Sequence, residues 1–72
     1  MGIDEVYRAI SSGKRGIVLV TEDYLWSSLE DSRMQLILSE AEKGRIVLRT
    51  ILSDTEAAEK IDSLGGVVMI SK

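Results

Sequence analysis

Residues 53–70 constrain this chain most, because they read as a helix and a following strand with both junctions marked. Ser53 and Glu56 have capping-box spacing: the hydroxyl can accept the third helical N–H while the carboxylate reaches back to the N–H of the cap. The spacing predicts a helix starting at Asp54. Ala57, Ile61 and Leu64 then share one face. Gly65-Gly66 supplies residues that turn left-handed without steric cost, so the helix ends there. Val67, Val68, Met69 and Ile70 form an unbroken apolar run, too short for another helix. Such a run predicts a strand covered on both faces, the central strand of a sheet.

The preceding segments repeat this alternation. Ile3, Val6, Tyr7 and Ile10 recur at helical spacing, with Asp4 and Glu5 in the first turn and Gly13 able to end the helix. Residues 17–20 are a second apolar run, closed by Thr21-Glu22-Asp23, and Tyr24, Leu25, Trp26 and Leu29 suit a short helical turn or lid. Asp31 or Ser32 can cap the next helix, whose stripe is Met34, Ile37, Leu38 and Ala41 and whose stop is Gly44. Residues 46–48 are the third apolar run and make strand two in chain order, and Thr50, Ile51 and Leu52 lead into the capping box. Helices alternating with strands predict an α/β fold, a three-layer α/β/α sandwich on a small, mostly parallel or mixed sheet. A helix in first place is unusual for this class. The expectation is therefore a single domain, residues 1–72, belonging to a longer chain with a strand before it, and a missing strand would leave an edge able to pair with another copy.

Composition removes most chemistry. The chain has neither Cys nor His, so thiolate zinc sites, disulfides and the usual acid–base and nucleophilic arrangements are absent. Its net charge of −3 offers no general attraction to phosphate backbones. The longest apolar run is four residues, against the roughly 20 needed to span a bilayer. The expectation is a cytoplasmic, non-catalytic protein that needs no cofactor and does not enter a membrane.

Several polar groupings have the outward form of a site. Gly13-Lys14-Arg15-Gly16 has a superficial phosphate-loop appearance, but a helix precedes it, and the earlier Gly and the Ser or Thr after Lys are missing. Glu22, Asp23, Thr50, Ser53 and Asp54 fall at the carboxyl ends of strands, where α/β sheets bind ligands. Turn and cap duty explains each of them without Mg²⁺, and Glu30-Asp31 is a helix start. Trp26, the single Trp, is expected to plug the rim of the core. The alternative for Trp26, and for an exposed Tyr24 beside it, is contact with a partner, since aromatics are enriched at interface hot spots.

Residues 53–67, Ser-Asp-Thr-Glu-Ala-Ala-Glu-Lys-Ile-Asp-Ser-Leu-Gly-Gly-Val, resemble the signature of the carboxy-terminal domain of Pelota and its relative, the class-1 translation release factor. The likeness extends upstream. Gly2 with Glu5-Val6, Ala9-Ile10 and Gly13 is similar to the opening helix of that family, and residues 18–25, Val-Leu-Val-Thr-Glu-Asp-Tyr-Leu, to its strand ending in a hydroxyl and acidic residues. The resemblance implies the fold of the kink-turn RNA-binding ribosomal-protein superfamily. It also implies a protein-docking module without catalytic duty in mRNA surveillance and ribosome rescue. Its partners would be the translational GTPase that delivers Pelota and the iron–sulfur ABC ATPase that splits ribosomal subunits, with the ribosome reached through the parent protein. Direct RNA binding is disfavoured because the Gly-x-Asn-Glu motif of the RNA-binding members needs an Asn that this chain lacks. A kink-turn RNA adaptor using Lys14 and Arg15 stands as the alternative reading. A small regulatory subunit of a rotary ATPase is another, since residues 16–23 are also similar to its early strand.

Overall fold

The computed structural model describes residues 2–71. The elements run α1 (Ile3–Ser11), β1 (Gly16–Thr21), α2 (Glu22–Ser27), α3 (Ser32–Glu42), β2 (Val47–Ile51), α4 (Glu56–Ser63) and β3 (Val67–Ser71). Helices α1, α3 and α4 end in the same way. Gly13, Gly44 and Gly65 take positive φ of 90, 79 and 103° just past them. In each case the Gly N–H and the next N–H bond back to the last-turn carbonyls, as in Lys14 to Ala9, Arg45 to Glu40 and Gly66 to Ile61. These paired bonds satisfy carbonyls that the helix cannot reach itself and turn the chain towards the sheet.

The sheet is mixed, with strand order β2-β1-β3. β2 runs parallel to β1 and β3 antiparallel to it. Val18 and Val20 are wholly buried, and with Ile3, Val6 and Ile10 of α1, Met34 and Ile37 of α3, Ile46 and Val67 they form the core on one face. Strand alternation sends Ile17, Leu19 and Thr21 to the other face. There α4 packs on β1 and β3, burying Ala58 and Ile61. This is the expected three-layer α/β/α arrangement.

The central strand is β1, not the Val67–Ile70 run, which is an edge strand whose last residues are exposed. The reason lies in coverage. With eight residues α4 is about 12 Å long, against roughly 20 Å for a six-residue strand, so one short helix cannot close the second face. The register sets Val47, Ile17 and Ile70 in one row across that face, and Val47 and Ile70 remain 47% and 55% exposed.

The start of α4 also differs from the capping-box expectation. Asp54 sits at φ 65°, which bends the chain away before a helix can form. Thr55 becomes the cap, its hydroxyl accepting the Ala58 N–H at 3.1 Å while donating to the Leu52 carbonyl at 2.8 Å. The helix therefore begins at Glu56, and the Ser53 hydroxyl is buried without a hydrogen-bond partner among the described residues. Ile46 is buried ahead of β2 rather than inside it, and β2 instead takes in Thr50 and Ile51.

Asp31 caps α3, accepting the Arg33 backbone N–H at 2.8 Å and the Arg33 guanidinium on both oxygens. The same guanidinium reaches Asp4 in the first turn of α1, joining the two core helices at one end. The Arg33 side-chain hydrogen bond, then its backbone N–H, holds the Asp31 carboxyl down at about 2. Because this folded-state value lies below the unfolded one, the cap stabilises fully above roughly pH 4 and is lost as pH falls towards 2. Asp31→Asn keeps a good cap acceptor without the titrating charge. Acid unfolding followed by circular dichroism is therefore expected to show a flatter pH dependence for this variant between pH 4 and 2 than for wild type, and identical slopes would refute the assignment.

Candidate docking surface

Thr21 ends β1 and starts α2 in one residue, its hydroxyl accepting the Tyr24 N–H at 3.3 Å. Six residues later the helix is already finished, and the Ser27 and Ser28 hydroxyls both donate to the Tyr24 carbonyl. α2 is therefore short and tied at both ends. Its two aromatics go to different places. Tyr24 is half-buried, its ring lying on Gly66, where an added Cβ would meet ring carbon Cδ2 at 2.5 Å. Trp26 is 66% exposed, so the expected plug over the core rim does not exist. Residues two apart fall about 200° apart round a helix, so positions 24 and 26 cannot share a face, and Tyr24 has the inward one.

Beside Tyr24 lies a shallow hollow of about 530 Å³ between α2 and the end of α4, lined by Asp23, Tyr24, Ser27, Asp62, Gly65 and Gly66. Both of its charges are negative, which suits a basic or neutral partner better than a phosphate backbone. The Gly65-Gly66 turn that forms its floor also meets the start of α1. A Cβ on Gly65 would lie 2.8 Å from the Gly2 Cα, so the two backbones are in direct contact. The Thr21 N–H donates to the Gly66 carbonyl at 3.1 Å, closing the third side.

The remaining sequence candidates are dispersed. Glu22 and Asp23 occupy the first turn of α2, Thr50 lies in β2, and Ser53 and Asp54 belong to the turn before α4. Among the described residues, no group of three or more Asp or Glu is placed to hold a metal ion. Lys14 and Arg15 are exposed in the link from α1 to β1. No described helix is long and apolar enough to cross a membrane. Exposed Leu52, Leu64, Val47 and Ile70 run against the sequence pattern, because apolar residues in or beside strands and helix stripes read as core. The signal for Val47 and Ile70 is their two-residue alternation, legible only once the covered face is known.

No protein-family model matches the chain, and neither a curated protein nor a solved structure matches it.

Proposed function

We propose that this chain is a non-catalytic docking domain of a Pelota-like ribosome-rescue factor, with the α2 surface around Trp26 as the contact for a translational GTPase or the ribosome-splitting ABC ATPase. One observation supports this above the others. The three segments that resemble the family, far apart in sequence, meet at a single point: Gly2 from the first, Thr21 and Tyr24 from the second, Gly65 and Gly66 from the third. Their contact fixes the pose of α2, and α2 then displays an aromatic that the core does not use.

Trp26→Ala is expected to leave the fold and stability nearly unchanged, since an exposed side chain contributes little to them. Binding to the GTPase or ATPase partner is expected to weaken by roughly tenfold or more, the range of a central aromatic hot spot. Titration of the labelled domain, read by NMR, tests both. Shifts clustered on α2 and the Gly65-Gly66 turn with a protein partner support the proposal. Salt-sensitive shifts around Lys14 and Arg15 with a kink-turn RNA, and none with protein, would replace it with the RNA-adaptor reading.

A further inference from the structure

The two faces of the sheet carry unequal cover. On the core face α1 and α3 pack together over Val18 and Val20. On the other face α4 is alone, and it packs chiefly on β1 and β3. At the end where β1 and β2 begin, this leaves the row of Val47, Ile17 and Ile70, in which Val47 and Ile70 are about half exposed. Three strands span about 10 Å between the outer two, the width of one helix.

The surroundings of this row are basic. Arg49 stands two residues beyond Val47 in β2, so alternation puts it on the same face, level with Leu19. It is exposed and, among the described residues, joined to no carboxylate. Arg15 and Arg45 stand two residues ahead of Ile17 and Val47, at the same end of the sheet. Arg15 is likewise joined to no carboxylate among the described residues, and Arg45 meets Glu40 at 3.3 Å. Lys14 and Lys43 follow helix C-termini, where the helix dipole accounts for a cation. Arg49 lies in mid-strand, where no helix end asks for one. The far end of the sheet has the opposite sign, with Glu22 and Asp23 following β1 and Asp54 and Glu56 following β2.

Charge and the apolar row together select the occupant. Ile and Val offer no flat ring for a base to stack on, so a nucleic acid would use the cations and leave the row uncovered. A helix with apolar residues at i, i+3, i+4 and i+7 and Asp or Glu beside them satisfies both. This chain has no free helix of that kind to lend to a second copy. The stripes of α1, α3 and α4 face their own core, and α2 is six residues long with Trp26 as its one exposed large apolar residue.

From coverage and charge together, we propose that the open end of the second sheet face, around Ile17, Val47, Arg49 and Ile70, receives an acidic amphipathic helix from a partner protein. This surface is separate from the α2 contact, so either can fail alone. The probe is a pair of helical peptides of about 15 residues with the same Leu stripe, flanked by Glu in one and by Lys in the other. The domain as a whole has a net charge of −3, so a general attraction would favour the Lys peptide. In an NMR titration of the labelled domain, the Glu peptide is instead expected to shift Ile17, Val47, Arg49 and Ile70 and to bind roughly tenfold tighter, the difference shrinking as salt rises. Arg49→Glu should reverse that preference, and Trp26→Ala should leave it unchanged. Equal binding of the two peptides, shifts centred elsewhere, or loss of binding in Trp26→Ala would overturn the proposal. So would the same residues shifting with protein concentration alone, or responding to a kink-turn RNA or anionic vesicles in preference to the Glu peptide. The peptide comparison on the unmodified chain decides the matter even if Arg49→Glu folds poorly.

Discussion

Met34→Ala is expected to remove about 2–5 kcal/mol of stability, the cost of a truncated side chain plus the cavity it leaves. Met34 has no exposed surface and sits in α3 among Val18, Val20, Ile37 and the buried face of α1. None of these neighbours can move inward without leaving another contact. A domain of 72 residues has a total stability of only roughly 4–10 kcal/mol, so the variant should lose a large share of it and unfold at markedly lower urea. Met34→Leu keeps the volume and should cost less than about 1.5 kcal/mol. Leu52→Ala, at a position 67% exposed, should stay within about 0.5 kcal/mol. Urea unfolding of the three variants gives the comparison. Equal midpoints for Met34→Ala and Leu52→Ala would show that the core lies elsewhere.

Gly16→Ala is expected to destabilise by roughly 2–4 kcal/mol, combining overpacking with a lost ladder bond. The methyl group would overlap the Ile70 carbonyl oxygen and lie 3.0 Å from the Ser71 Cα, both backbone atoms that cannot rotate aside. The strands must separate at this end, releasing the Gly16↔Ser71 and Ile17↔Ile70 positions. Amide exchange should accelerate at Ile17 and Ile70 before anywhere else in the sheet. Gly13→Ala provides the contrast, because nothing lies within 4 Å of its added methyl. Its cost is the left-handed backbone alone, about 1–2 kcal/mol.

The local part of the fold is legible in the sequence, and the non-local part is not. Gly13, Gly44 and Gly65 announce three helix ends because a left-handed C-cap depends on one residue type at one place. The strands follow from apolar runs between those stops. Which run becomes central is hidden, since both residues 17–20 and residues 67–70 are apolar throughout, and burial on both faces depends on how many helices are left to cover each. At the start of α4 the spacing favours Ser53 over Thr55, two hydroxyls two residues apart. Asp54 decides for Thr55 by adopting a conformation that non-glycine residues seldom take, which no spacing rule anticipates. At the candidate surface, composition singles out Trp26 and Tyr24 but does not separate their opposite fates. Those depend on Gly66 arriving beneath Tyr24 from the far end of the chain.

With β1 at its centre, the sheet cannot close around that strand until both of its neighbours have been made. The antiparallel neighbour of β1, β3, is synthesised only after α2, α3, β2 and α4. The β1–β2 half can form first, through the shorter loop; the β1–β3 half closes a longer one and waits for it. During that interval the most buried strand of the protein has one bare side, the condition under which growing chains exchange strands or aggregate. The order of manufacture thus leaves β1 most vulnerable just before β3 appears.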